Sequence, residues 1–256
     1  MEPFHILQTF NILIIMARKI KIDNALQKRF TQSNKKRSKK EIHVSILIVC
    51  EGTKTEPNYF KSFSKKIGQF VFDINTEGTG KNTMGVVKKA IELRNNSMTK
   101  FDRVWAVFDR DSFKSSSFNS AISKANANNI SCAWSNEAFE LWYLLHFQFR
   151  NTAMSRTEYA KAIESEVNKK WNKKTPYKYF KNDEYPDKIT KTYNILQKYG
   201  NQNNAIENAK KLSEEYRDTK YQNHNPRTQI FELVEQLIGK DDILNAEIKK
   251  KHAHHS

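Results

Sequence analysis

Four short apolar runs in the first 150 residues are each typical of a buried β-strand, at residues 43–50, 70–76, 103–109 and 130–135. The first and third are nearly continuous, as in strands that are covered on both faces, and the second alternates between apolar and polar positions. Helical patterns occupy the chain between them and just after the last, at residues 57–67, 84–95, 118–129 and 137–147. This alternation predicts an α/β fold with a mostly parallel four-stranded sheet flanked by helices.

Beyond residue 150 the strand signal ends and amphipathic helical patterns follow, at residues 156–171, 185–200, 204–218 and 228–239. We therefore predict an α/β domain over residues 42–150, a helical region over 151–240 that packs on it, and a polar tail over 241–256. We predict that residues 1–41 are a basic N-terminal arm. Within this arm, residues 1–15 are either an extension upstream of Met16 or a short element packed on the domain.

The charge balance indicates a polyanionic partner. The 256 residues include 44 Lys and Arg against 28 Asp and Glu, a net charge of +16, which favours nucleic acid through Coulomb attraction and counterion release. Cys50 and Cys132 lie in predicted strands without a CxxC motif, so we expect reduced thiols and a cytoplasmic location. The apolar run at residues 10–16 is too short to span a bilayer, so we expect no membrane segment.

Two segments combine the residue types that hold nucleic acid. The basic arm either lies along a phosphate backbone or is disordered, and its candidate contacts are Lys35, Lys36, Arg37, Lys39 and Lys40. Residues 169–183 mix aromatic and basic side chains, as in proteins that stack bases and neutralise phosphates. Their candidate contacts are Trp171, Lys173, Lys174, Tyr177 and Lys178. The alternative for this stretch is a solvated loop anchored by core aromatics.

Acidic residues follow three of the four predicted strands. Glu51 ends the first strand, Asp109 and Asp111 end the third, and Glu137 and Glu140 follow the fourth. Ligands of parallel α/β sheets gather at the carboxyl ends of the strands. Hard carboxylate oxygens suit Mg²⁺ or Mn²⁺ rather than zinc. The sequence therefore predicts a metal site at this edge, although an isolated DxD motif is also common in solvated loops.

The remaining candidates each have a structural alternative. Gly52 allows a tight turn after the first acid, and Lys54 is placed to stabilise developing negative charge. Glu56 either joins the site or caps the following helix. Glu137 is either a metal ligand or a charge favoured by a helix N-terminus. Glu140 lies in an otherwise apolar helix, so its carboxylate needs a partner or a metal.

The order strand–Glu–Gly, then strand, then strand–DxD resembles the Toprim domain of primases, topoisomerases and overcoming-lysogenization-defect nucleases. A closer resemblance is to the RloB family of abortive-infection proteins that act in phage defence. It spans roughly residues 17–240 and is carried by LIVCEGTKTEPNYF, VFDRDSF, SNEAFELWYLLHF and NPRTQIFELVEQL. Two features depart from the Toprim pattern: the acid after the glycine is displaced to Glu56, and residue 113 is Phe where a third acid of DxDxD is usual.

The resemblance implies a Toprim-type Mg²⁺- or Mn²⁺-dependent nuclease that cuts RNA, including tRNA, or DNA as a phage-defence effector. Glu51, Asp109, Asp111 and Lys54 would be its catalytic residues. It also implies an ABC- or AAA-type ATPase companion, since the chain has no G-x-x-x-x-G-K-[ST] loop, and it is compatible with a homodimer. The alternative is a non-catalytic nucleic-acid-binding adaptor with a degenerate Toprim fold that works with such an ATPase. Primase-like polymerisation lacks an evident nucleotide-binding apparatus.

Overall fold

The computed structural model describes residues 41–110, 115–181 and 191–253. Within them lies one six-stranded sheet with the order β2-β3-β1-β4-β5-β6. The strands are β1 (Ile42–Cys50), β2 (Lys66–Ile67), β3 (Phe70–Gly78), β4 (Arg103–Asp109), β5 (Ser131–Asn136) and β6 (Arg227–Thr228). The four central strands are parallel, and the two edge strands pair antiparallel with β3 and β5. The fold is therefore α/β with a mixed sheet.

The prediction of four strands was wrong in number, although all four predicted strands exist. The two missed strands are only two residues long. Such short segments show no alternation that a sequence pattern can reveal. The sequence pattern also predicts a helix that includes Lys66 and Ile67. The helix in question ends at Lys61, and the chain turns back to pair with β3.

The helices of the described residues lie between and after the strands. They are α1 (Thr55–Lys61), α2 (Thr83–Asn96), α3 (Ser115–Asn126), α4 (Glu140–Leu145), α5 (Arg156–Asn168), α6 (Thr192–Tyr199), α7 (Gln202–Glu214), α8 (Ile230–Leu237) and α9 (Asp242–Ala253). The last of these replaces the predicted polar tail, because its Leu244 and Ile248 are buried against the core. None of the described helices is long and apolar enough to cross a membrane.

Two hydrophobic clusters cover the two faces of the sheet. Along β1 successive side chains point to opposite faces, so Ile46 and Ile48 enter one cluster while Leu47 and Val49 enter the other. Buried residues of α1 and α4 to α9 join the first cluster, and those of α2 and α3 join the second. The C-terminal helical region thus covers one face of the sheet. The carboxyl edge is left for loops and helix starts.

Candidate active site

The carboxyl ends of β1 and β4 open into a cavity of about 270 Å³. The two strands are hydrogen-bonded neighbours, with Cys50 opposite Val107, so the residues that follow them meet at one edge. The described residues that line the cavity are Glu51, Gly52, Thr53, Thr55, Glu56, Gly80, Asp109, Phe139, Glu140, Arg156 and Lys181. Four carboxylates from separate parts of the chain therefore share one small space.

Glu51 is fixed by its own backbone at the exit of β1. Its N–H donates to the Val107 carbonyl at 2.8 Å, and its carbonyl accepts the Gly80 N–H at 2.9 Å. Its side chain turns towards β4, where Oε2 accepts the Asp109 N–H at 3.3 Å. The Glu51 side chain is half-buried, and this hydrogen bond links the carboxyl ends of β1 and β4.

Glu56 lies in the first turn of α1 and is buried at 7% exposure. Its Oε2 has no hydrogen-bond partner among the described residues. Burial raises the pKa of this carboxyl, and repulsion from Glu140 adds to the rise, whereas Lys181 and Arg156 oppose it. A buried carboxylate oxygen without a partner is costly. Glu56 therefore lines the cavity with its carboxylate, in addition to its place in the first turn of α1.

Gly52 provides the space that the Glu56 carboxylate occupies. A Cβ built on Gly52 would clash with Glu56 Oε2. Gly52 is not among the glycines with positive φ. Its role is therefore to admit the neighbouring carboxylate rather than to allow an unusual backbone conformation.

Asp109 ends β4 with its side chain only 13% exposed. Burial is the main cause that raises its pKa well above the usual range, and repulsion from Glu56, Glu140 and Glu51 adds to it. Arg156 opposes the rise through an Nη2–Oδ2 contact of 3.4 Å. The carboxylates of the cavity are thus mutually repulsive, as expected of a group that is assembled to bind a cation.

Glu140 completes the acidic group from the other side of the cavity. It is the first residue of α4 and is 6% exposed. Its Oε1 accepts a hydrogen bond from the Tyr179 hydroxyl at 3.1 Å. The sequence predicts a partner for this carboxylate, because the rest of its helix is apolar. The Tyr179 hydroxyl is that partner, and the carboxylate also lines the cavity.

Two cations line the same cavity, Arg156 and Lys181, and the sequence did not single them out. Arg156 opens α5, where Ser155 and Glu158 form a capping box that fixes the start of the helix. An ordinary helix start and a lysine in a lysine-rich stretch carry no local signal of a site. Only the tertiary fold brings them to the acids.

Other predicted site residues lie elsewhere. Glu137 precedes α4 rather than lying in it, so it does not share a helix face with Glu140, and it is not among the described residues that line the cavity. Lys54 is exposed at the start of α1 and is likewise absent from that lining. Asp111 and the five basic residues of the arm lie outside the described residues.

The aromatic and basic stretch divides into core and surface. Tyr177 is 4% exposed and belongs to the core, so its ring is not available to stack on a base. Trp171 is half-buried against Tyr177 and Tyr199. Exposed lysines border this anchor: Lys173, Lys174 and Lys178. The alternative of a loop anchored by core aromatics therefore describes Tyr177, and nucleic-acid binding by the exposed lysines stays a prediction.

The donor set of the cavity suits a divalent ion. Among the described residues, no group of three or more acidic, histidine or cysteine side chains lies close enough together to hold a metal ion as it stands. The chemistry nevertheless fits Mg²⁺ or Mn²⁺, because the donors are carboxylate oxygens. One of them, Glu56 Oε2, is buried and has no partner among the described residues. A cation there would also offset the repulsion that raises the Asp109 pKa.

Fold and site together define an α/β protein with a buried acidic cavity at the carboxyl edge of its sheet. A family model described as RloB-like protein matches residues 46–237, well over half of the chain. The chain therefore belongs to the RloB-like protein family, as its separated motifs predicted. No curated protein and no solved structure matches it. The Toprim assignment remains a prediction.

Proposed function

We propose that this RloB-like protein is a metal-dependent phosphodiesterase that cuts nucleic acid. The observation that carries the proposal is the convergence of Glu51, Glu56, Asp109 and Glu140 in one cavity of a protein with a net charge of +16. Buried carboxylates repel one another and repel a phosphate. A bound cation would offset both repulsions. The four carboxylates would then hold a metal ion that lets a basic protein bring a phosphate to them.

The four carboxylates would hold Mg²⁺ or Mn²⁺, with Glu56 and Glu140 as the most buried oxygen donors and Asp109 at the exit of β4. When bound, the ion polarises a phosphate and favours hydroxide near neutral pH. Glu51 is half-buried and contacts the β4 backbone, which suits it either to ligate the ion or to carry a proton. Asp111 is the further ligand that the sequence predicts.

Arg156 and Lys181 would bind the non-bridging oxygens of the phosphate. Charge-assisted hydrogen bonds from guanidinium and ammonium groups are the usual means of holding such oxygens. Arg156 contacts Asp109 at 3.4 Å, so a phosphate that it binds would lie beside the acidic group. The site thus presents both signs of charge to one phosphodiester.

The biological setting is part of the proposal, and the resemblance to RloB-family proteins of phage defence supports it. An RloB-like nuclease would act as the effector of a phage-defence system of the abortive-infection type. An ATPase companion would act as its sensor or restraint. RNA, including tRNA, and DNA are the substrates to test.

The first prediction is metal-dependent cleavage by the purified protein. We would incubate it with total tRNA, single-stranded DNA and duplex DNA, in Mg²⁺ or Mn²⁺ and in EDTA. We expect cleavage of at least one substrate that stops in EDTA. We expect Glu51→Gln to reduce the rate about tenfold, since it weakens one ligand or proton carrier at the edge of the cavity.

Lys100→Gln is the matched control, because Lys100 is exposed just before β4, at the opposite edge of the sheet. It should cleave as the wild type does. The adaptor function would be supported instead if the protein bound nucleic acid in a salt-sensitive way but did not cleave it. Glu51→Gln should then bind equally well, and adding the ATPase companion should not produce cleavage.

A further inference from the structure

Tyr179 is a half-buried residue that supports the acidic cavity from behind. Its hydroxyl donates to Glu140 Oε1 at 3.1 Å, although Tyr179 is not among the described residues that line the cavity. Its ring packs edge-on against Tyr143, with 6.3 Å between the ring centres. The hydroxyl engages one oxygen of the Glu140 carboxylate, so Oε2 is the oxygen that can reach an ion.

Three hydrogen bonds from α5 hold the segment of residues 177–181 in place. Asn168 Nδ2 donates to the Tyr177 carbonyl at 3.0 Å, and Asn168 Oδ1 accepts the Tyr177 N–H at 2.8 Å. Glu164 Oε1 accepts the Tyr179 N–H at 2.9 Å. Glu164 and Asn168 are one turn apart on the same face of the helix. This α5 clamp, formed by Glu164 and Asn168, therefore fixes where the Tyr179 hydroxyl lies.

The same segment brings a cation to the cavity. Lys181 follows Tyr179 by two residues, and it lines the cavity together with Glu140. One short segment thus supplies a hydroxyl for Glu140 and a cation for the proposed phosphate.

Glu140 needs a restraint because its neighbours repel it. Burial is the main cause that raises the pKa of Glu56 and of Asp109, and repulsion from Glu140 adds to both rises. A glutamate side chain is flexible, so an unrestrained Glu140 would turn away from these two carboxylates. A hydroxyl that donates to Oε1 keeps the carboxylate beside them before an ion arrives. The hydrogen-bond partners of metal ligands in proteins commonly orient them in this way.

We infer that Tyr179 is a positioning residue of the proposed metal site: held by the α5 clamp, its hydroxyl orients the Glu140 carboxylate for the ion. In this role Tyr179 touches neither the ion nor the phosphate. The inference rests on the proposed function, since it concerns a ligand of the proposed ion. It gives residues 169–183 a role besides the nucleic-acid contacts that the sequence predicts.

The test measures Mn²⁺ affinity without nucleic acid, so it does not depend on cleavage. Tyr179→Phe removes only the hydroxyl and keeps the ring against Tyr143. Isothermal titration should show Mn²⁺ affinity about tenfold weaker than that of the wild type, the lower end of the loss caused by removing a partner of a metal ligand. Tyr193→Phe is the matched control, because Tyr193 is a half-buried tyrosine of the same core that is not among the residues lining this cavity. It should bind Mn²⁺ as the wild type does.

A merely structural role for the hydroxyl predicts a different result. Loss of its hydrogen bond would then lower the melting temperature of Tyr179→Phe equally in EDTA and in Mn²⁺. A positioning role predicts that Mn²⁺ raises the melting temperature of the variant less than that of the wild type, because stabilisation by a ligand falls with its affinity. An equal rise in both proteins, with equal Mn²⁺ affinity, would overturn the inference.

Asn168→Ala tests the α5 clamp from a residue that is not part of the described cavity lining. It removes both side-chain hydrogen bonds to Tyr177, while Glu164 still holds the Tyr179 backbone. We expect Mn²⁺ affinity to fall about threefold, the low end of the net value of a hydrogen bond. Wild-type affinity in Asn168→Ala, beside a loss in Tyr179→Phe, would show that the part of the inference concerning the clamp is wrong.

The remaining outcomes separate this inference from the proposed function. Absence of Mn²⁺ binding by the wild type would refute both. Mn²⁺-dependent cleavage by the wild type, with unchanged Mn²⁺ affinity in Tyr179→Phe, would refute this inference alone. It would also be refuted if Tyr179→Phe bound Mn²⁺ normally but bound labelled single-stranded RNA or DNA more weakly in EDTA, because the hydroxyl would then contact the nucleic acid.

Discussion

Asp109→Asn is expected to abolish metal-dependent cleavage and to stabilise the fold at the same time. The loss of activity should be about 10³-fold, or about 4 kcal/mol of transition-state stabilisation, because the variant removes a buried ligand of the proposed ion. The gain in stability arises because the Asp109 carboxylate is buried among other carboxylates. Burial and three neighbouring carboxylates raise the pKa of Asp109, so its ionised form opposes folding near neutral pH.

The raised pKa of Asp109 determines how the stability difference between Asp109→Asn and the wild type should change with pH. A carboxyl whose pKa is raised by folding contributes stability that is full below its unfolded value, about 3.9, and is lost as the pH rises through the folded pKa. Asparagine cannot lose a proton. In EDTA, the melting temperature of Asp109→Asn should therefore exceed that of the wild type by a margin that grows from pH 4 towards neutrality.

Asp73→Asn is the matched control, because Asp73 is exposed on β3. It should leave both the cleavage rate and the melting temperature within error of the wild type. A variant at Asp109 that cleaves normally would refute the assigned role. One that melts below the wild type across the whole pH range would show that Asp109 serves the fold instead.

Gly52→Ala is expected to reduce cleavage about 100-fold while the protein remains folded. The new methyl group would clash with Glu56 Oε2, so the carboxylate of the buried Glu56 would have to shift away from its place in the cavity. Gly52 is not among the glycines with positive φ, so alanine meets no backbone penalty there. The substitution therefore tests the placement of one carboxylate rather than the stability of a turn.

A double-mutant cycle with Glu56→Gln separates displacement of Glu56 from other effects. If Gly52→Ala acts by moving the Glu56 carboxylate, the double variant should be no slower than Glu56→Gln alone. If the double variant instead lost activity by the product of the two single-variant losses, Gly52 would act through a residue other than Glu56. Wild-type activity of Gly52→Ala would show that the Glu56 carboxylate is not required where the structure places it.

The sheet and its acidic edge were largely predictable from local patterns. The apolar runs gave all four central strands within two residues of their observed bounds, because buried parallel strands are nearly continuous in apolar residues. Glu51 and Asp109 follow from the ends of those runs. The short edge strands and the bounds of α4 do not follow, since two-residue pairing and the exact start of a helix depend on tertiary contacts.

The two cations of the cavity depend on long-range assembly. Arg156 reaches the cavity because α5 packs beside α4, and Lys181 reaches it from the stretch that follows α5. In both cases the local sequence is ordinary. What marks Arg156 and Lys181 is their place in the lining of the acidic cavity, which only the tertiary structure reveals.

Direct measurement of Mn²⁺ binding tests the central claim, that these carboxylates form a divalent-cation site. Isothermal titration of the wild type and Asp109→Asn, near neutral pH and in buffers of different ionisation enthalpy, reports both affinity and released protons. We predict Mn²⁺ binding by the wild type with proton release, since carboxyls with raised pKa must ionise to ligate the metal, and at least tenfold weaker binding by Asp109→Asn. No binding, or equal affinity in both proteins, would contradict the account.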